Sequence, residues 1–241
     1  MTDARLDEIA GNLTRVRSRI ADACAAAGRD PLDVTLVVVS KTYPAADVVR
    51  LTHLGVRDIG ENRDQEAAPK AAEVAAAGVD VRWHFVGQLQ RNKARSVARY
   101  ADVVHSVDRQ SLVAALAKAR AGAERPLRCL VQVALSDDAS RAGGTVQRGG
   151  VVPDQVEQVA DLVAEAEGLE LAGVMAVAPL GTDPDRAFAE LAGVAERIRA
   201  VYTDATWVSA GMSDDLESAI RHGATHVRVG RALLGTRAVA G

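Results

Sequence analysis

Short apolar runs of strand length alternate eight times with helical or loop segments along this chain, and few folds accommodate that rhythm. The runs lie at 34–39, 56–59, 81–86, 103–106, 127–134, 169–175, 206–208 and 226–229. Several are continuously apolar, the first above all, which suits parallel strands covered on both faces. Helical patterns at 45–54, 63–77 and 92–100 separate the first four runs. Leu6, Ile9, Leu13, Val16, Ile20 and Cys24 recur at spacings of three and four, marking a further amphipathic helix that starts after Thr2 and stops at Gly28. Eight β/α units in 241 residues predict an α/β fold, a single (β/α)8 TIM barrel with an extra N-terminal helix, with residues 1–241 forming one domain. An open doubly wound sheet of this size would usually have fewer strands.

Charge and apolar content narrow the partners. With 29 basic against 32 acidic residues and a net charge of −3, the chain has no electrostatic footprint for nucleic acid or an anionic membrane. No apolar stretch approaches the roughly 20 residues that span a bilayer. Small molecules are therefore the expected partners, with no nucleic acid and no membrane. The N-terminus lacks a signal-peptide core, and Asp3, Asp7 and Glu8 suit a transit peptide badly, so a cytoplasmic location is expected. Cys24 and Cys129 stand alone, without a second thiol or a histidine at metal-ligand spacing, and read as buried reduced thiols.

The candidate chemistry gathers where strands end. Lys41 directly follows the first strand, beside an apolar wall at the barrel mouth, where burial is expected to favour the neutral, nucleophilic amine that condenses with carbonyls. A lysine that snorkels into water is the plain alternative. The other lysines, Lys70, Lys93 and Lys118, lie in polar, helix-like surroundings that solvation explains. Near the chain's end, Ser209 to Asp215 follow the seventh strand. Gly211 there permits close backbone approach, and Ser213 or Asp214 suits a helix cap. The eighth strand delivers Arg228, Gly230 and Arg231, and the loops after strands seven and eight of such barrels often form a phosphate site. Gly60-Glu61-Asn62-Arg63 and Trp83 to Gln88 end the second and third strands at the same mouth. Glu61 and Asn62 read equally well as helix caps. His84 faces either the barrel interior or the helices, and a satisfied structural histidine is the plainer reading. Residues 136–150 are rich in Gly, Ser, Asp and Arg and are expected to form a mobile loop, with a lid or an inert insertion as the two readings.

Taken together, Val38-Val39-Ser40-Lys41-Thr42, Gly60-Glu61-Asn62-Arg63, His84 to Lys93, His105-Ser106-Val107-Asp108, Ser209 to Ile220 and Val227-Arg228-Val229-Gly230 resemble one family. The chain is similar, from the N-terminal helix to Leu234, to the pyridoxal phosphate homeostasis proteins, the YggS/PROSC family, whose barrel is like the N-terminal domain of alanine racemase. The resemblance implies pyridoxal 5′-phosphate (PLP) held as a Schiff base on Lys41. It also implies a phosphate gripped by Ser209 and the backbone around Gly211, Gly230 and Arg231, with Arg228 facing the pyridine nitrogen or the phosphate edge and Asn62 at the rim. A permanently charged arginine beside the ring nitrogen disfavours its protonation, so carbanion chemistry is weakly supported. Ala210, Arg231 and Leu234 depart from the family's usual Met, Thr and Phe, while Arg141 and Gly143 fall where it tends to have Lys and Gly.

The expected function is that of a monomeric PLP-binding protein, not an enzyme, which serves intracellular vitamin B6 homeostasis and PLP delivery to apo PLP-dependent enzymes. Its expected end near Leu234 leaves no room for the second domain that gives racemases their opposite base. The alternative is a PLP-dependent enzyme acting on a small amino acid, racemase-like, with Tyr43 or His84 assisting Lys41. A third possibility is a PLP-free barrel that binds a phosphorylated metabolite.

Overall fold

The computed structural model describes residues 3–135 and 149–235. Asp3 opens α1 (Ala4–Ala26), its carboxylate accepting the Arg5 and Leu6 N–H groups that a first helical turn leaves without partners. The barrel follows as β1 (Thr35–Val39), β2 (Asp58–Glu61), β3 (Arg82–Phe85), β4 (Val103–Val107), β5 (Leu127–Gln132), β6 (Leu169–Met175), β7 (Trp207–Ser209) and β8 (His226–Val229). Between and after the strands run α2 (Ala45–His53), α3 (Asp64–Ala76), α4 (Ala94–Tyr100), α5 (Gln110–Arg120), α6 (Val156–Ala164), α7 (Pro184–Val201), α8 (Leu216–Arg221) and α9 (Arg231–Leu234). The strands are parallel and adjacent in chain order, and β8 closes on β1 through pairs running from Thr35–His226 to Val38–Val229. The structure is thus the (β/α)8 barrel with an added N-terminal helix that the strand rhythm predicts.

Two boundaries differ from expectation for a local reason. The second run is shifted by two residues because the Val56 N–H bonds back to the Leu51 carbonyl, and Gly55 turns with φ +79°. Val56 therefore closes α2 instead of entering the sheet, an ending that glycine's freedom at positive φ permits. The fifth strand stops at Gln132, beyond which Val133 makes only an isolated bridge to Val151. Of the expected loop at 136–150, residues 136–148, including Arg141 and Gly143, lie outside the described residues.

Most of the core lies between sheet and helices, where Val38, Val227 and Val229 pack against Ile9, Leu13, Val16 and Leu51. Burying each such side chain contributes about 1.5–3 kcal/mol, so this stripe outweighs the polar ties of α1. Those ties nonetheless fix position. The Asn12 side-chain amide donates to the Leu233 carbonyl at 2.8 Å, and Arg5 donates to the Leu234 carbonyl at 2.9 Å while pairing with Asp47 at 2.8 Å. Helix α1 thereby locks α9 over the mouth. No described helix is long and apolar enough to cross a membrane.

Candidate functional site

The barrel interior is apolar only over part of its cross-section, where Val103, Leu130, Ala172 and Met175 meet Trp207. Elsewhere it is filled by hydrogen-bonded polar side chains. His84 and His105 are buried and bonded ring to ring, Nδ1 of the first to Nε2 of the second, at 2.8 Å. The outer nitrogen of His84, Nε2, meets Asp58 at 2.9 Å, and Nδ1 of His105 meets the Ser209 hydroxyl at 2.9 Å. Arg228 completes the chain by donating to Ser209 Oγ at 2.6 Å and to the Ala176 carbonyl at 2.9 Å. The plainer reading of His84, a satisfied histidine, holds, and it faces the interior.

Burial sets the charges of this chain. It pulls the Arg228 guanidinium down to about 10, with Asp215 opposing, so the side chain stays cationic at neutral pH. Burial likewise pulls His226 down to about 3 and His105 well below the ordinary imidazole range, with neighbouring cationic and imidazole groups adding to both shifts. His84 is lowered by burial against the opposing pull of Asp58. Burial alone would raise Asp58, but hydrogen bonds and charge from His84 and Arg82 hold its carboxyl below the usual value. A desolvated cation beside neutral imidazoles is poised for an anion.

Ser209 and Arg228 are therefore in direct contact. Register brings Lys41, Asn62 and Gly230 together at the rim, because Val39 pairs with Gly60, and Val38 with Val229, on the two strands flanking β1. Asn62 is held there by the third strand's exit. A Cβ on Gly87 would lie 2.1 Å from the Asn62 carbonyl oxygen, so only glycine fits. Gly211 has φ +87°, and a Cβ on it would lie 2.6 Å from that of Ala219, so the turn after β7 also requires glycine. Gly230 caps α9, whose first turn leaves N–H groups without helical partners, and Arg231 is exposed beside them. The cap of α8 is Asp215, which accepts the Met212 N–H at 2.6 Å, in place of the expected Ser213 or Asp214.

Two expectations about lysines are corrected. Lys41 is exposed, not buried against an apolar wall, because it sits on the turn beyond β1 where the mouth is open. Thr42 next to it has φ +70°, costly for a β-branched residue, and is held by its N–H donating to Glu66 at 3.1 Å. Such strain fixes the direction in which the turn presents Lys41. Lys70, expected to be solvated, is instead buried. It donates to Glu61 at 2.5 Å and to the Ser40 carbonyl at 2.8 Å, while the Ser40 hydroxyl donates to Glu61 at 2.6 Å. Glu61 is accordingly not a helix cap but the anchor beneath the Lys41 turn.

Residues 5–238 match the family model described as the alanine racemase N-terminal domain. The pyridoxal phosphate homeostasis protein of Mycobacterium tuberculosis (strain H37Rv) is 47% identical over 97% of this chain and 94% of its own length. The chain belongs to the pyridoxal phosphate homeostasis protein family. Its Escherichia coli K12 member is 36% identical over 96% of this chain and 98% of its own. PipY of Synechococcus elongatus, solved with PLP bound, superposes on this family member with a TM-score of 0.78 at 31% identity, covering 94% of this chain and all of that one. Alanine racemase of Corynebacterium glutamicum shares the fold alone, with a TM-score of 0.66 and 18% identity, and the match covers 98% of this chain and 62% of the racemase. In this homeostasis-family barrel the residues fit a phosphorylated aldehyde. A buried cation bonded to a hydroxyl flanks the glycine turns after β7 and β8, and an exposed amine stands on the adjoining strand exit.

Proposed function

We propose that this chain, as one barrel domain, is a cytoplasmic monomer that binds PLP as a Schiff base on Lys41. It serves intracellular PLP (vitamin B6) homeostasis by holding the cofactor and delivering it to apo PLP-dependent enzymes, without turnover of its own. The observation that carries this reading is the desolvated Arg228–Ser209 contact beside the strand that bears Lys41. A phosphate dianion needs a cation and oriented donors. Ser209, Arg228 and the main chain around Gly211, Gly230 and Arg231 provide them, while Asn62 lines the rim. When bound, PLP supplies an aldehyde for the amine and an electron-accepting ring. The positive charge of Arg228 near that ring opposes protonation of its nitrogen and so opposes carbanion chemistry.

A holding role is favoured over catalysis by the two side chains that could assist Lys41 as bases. The Tyr43 hydroxyl donates to the Gly235 carbonyl at 2.5 Å, and His84 spends both ring nitrogens inside the barrel. The names of the curated relatives and the PLP-bound PipY structure support the same reading.

Borohydride reduction of the PLP-loaded protein is expected to leave a covalent adduct on Lys41, found by peptide mass spectrometry, and Lys41→Ala is expected to lose both adduct and visible absorption band. Equal uptake by Lys41→Ala would refute the assignment. Lys41-dependent interconversion of amino-acid enantiomers would refute the absence of turnover. Ser209→Ala is expected to weaken PLP binding about tenfold to a hundredfold, the worth of a hydrogen bond to a charged group at about 1.5–3 kcal/mol, with pyridoxal, which lacks the phosphate, bound as before. Equal weakening for both ligands would remove Ser209 from the phosphate site.

A further inference from the structure

We propose that phosphate binding at Ser209 is coupled to uptake of one proton by the His84–His105 pair, which makes both histidines positioning residues for that hydroxyl. The inference rests on the phosphate reading above and adds a regulated property to it. Three links join Asp58 to Ser209 through the two rings, and each link needs one proton. Asp58 as a carboxylate can only accept, so His84 donates from Nε2 and must accept at Nδ1. His105 therefore donates from Nε2 and accepts at Nδ1, and the Ser209 hydroxyl fills that last position. Arg228 donates to the Ser209 oxygen from the other side, which leaves the hydroxyl proton pointed inward. Every donor in the chain runs in one direction.

A phosphate dianion reverses this arrangement, because it too can only accept. When the Ser209 O–H turns to the phosphate, the two rings retain two protons for three links, and Ser209 Oγ faces His105 Nδ1 as acceptor against acceptor. One proton from solvent restores the count. His105 then donates from Nδ1 to Ser209, passes its Nε2 proton to His84 Nδ1, and His84 becomes an imidazolium against Asp58. No other bond is made or broken. Because every donor runs toward Asp58, the added proton enters at the Ser209 end, and Asp58, 16% exposed beside Arg82 at the far end of the barrel, faces the charge that results on His84. The groups that face the pair are Asp58 on β2, Arg82 on β3, Asp102 before β4, and His226 and Arg228 on β8. The cations among them keep the pair neutral until the dianion arrives, and burial acts in the same sense.

The test compares PLP with pyridoxal, since both condense with the amine and only one carries the phosphate. Between pH about 7.5 and about 8.5 the phosphate is already dianionic, its second pKa being about 6. The ratio of PLP to pyridoxal affinity, read from the absorption band, is expected to fall about tenfold over that unit. His105→Asn, whose amide can donate to Ser209 without titrating, is expected to flatten the ratio. Nitrogen-15 NMR of the wild-type histidines supplies a readout independent of any variant, with His105 Nδ1 passing from unprotonated to protonated as PLP is added. A pH-independent ratio, an unchanged slope in His105→Asn, or an Nδ1 signal that does not move each overturns the coupling while leaving PLP binding intact. Failure of the protein to take up PLP at all overturns both.

Discussion

Acidification is expected to destabilise this protein before most of its carboxylates titrate. His84, His105 and His226 all have lowered folded-state pKa values, whereas in the unfolded chain each returns to the ordinary value near about 6.5. Below that value the unfolded state binds more protons than the folded state, so stability rises with pH and is lost as pH falls. His226, whose folded value is about 3, contributes up to about 1.4 kcal/mol per pH unit, and His84 and His105 act in the same direction. One and a half units of acidification below about 6.5 then removes about 2 kcal/mol through His226 alone, a sizeable share of the about 5–15 kcal/mol stability of a typical domain. Asp58 adds in the same direction at still lower pH, because its folded value is depressed and its stabilisation disappears as it protonates. Urea midpoints measured between pH about 7 and about 5 are the check, with His226→Phe expected to reduce the slope by about one histidine's share. A midpoint that stays flat over this interval would show that the buried rings accept protons in the folded state.

Glu61→Leu is expected to destabilise the fold by about 3–5 kcal/mol, the usual cost of stranding one member of a buried ion pair. The side chains of Lys70 and Glu61 are 8% and 1% exposed, so water cannot replace the lost carboxylate. Removing the stranded charge as well, in Glu61→Leu with Lys70→Met, is expected to restore most of the loss, since apolar replacement of a whole buried pair is often neutral. The effect also reaches the mouth. Both residues bond Ser40, the last position before Lys41, so the single variant is expected to slow adduct formation with PLP. If the single and double variants lose equal stability, the pair is not the anchor inferred here.

The strand positions were legible because a buried parallel strand is a continuous apolar run, and a closed barrel needs eight of them in chain order. The meeting of Ser209 with Arg228 was legible for a related reason, as they lie at the ends of strands seven and eight of a closed barrel, with Gly211 and Gly230 in the turns just beyond. The interior chain was not legible. Both faces of these strands are buried, so apolarity cannot tell which parity points inward, and the stagger that brings His84 against His105 is a property of barrel closure. Lys70 misleads for a different reason. It lies on a helix whose neighbours Glu66 and Glu73 are polar, while its partner Glu61 comes from a strand end. The strain at Thr42 leaves no compositional signal, because the residue type argues against the conformation it adopts.

The Asp58–His84–His105–Ser209 chain also answers a question that apolar packing leaves open, namely how eight similar strands settle into one stagger. Oily side chains tolerate sliding past one another, whereas hydrogen bonds of 2.8–2.9 Å running from carboxylate through two rings to a hydroxyl do not. Slipping any one of β2, β3, β4 or β7 by two residues would keep its inward parity yet leave a polar group in the lumen facing hydrocarbon. These polar side chains thus act as a key for the shear of the barrel, rejecting misaligned closures during folding.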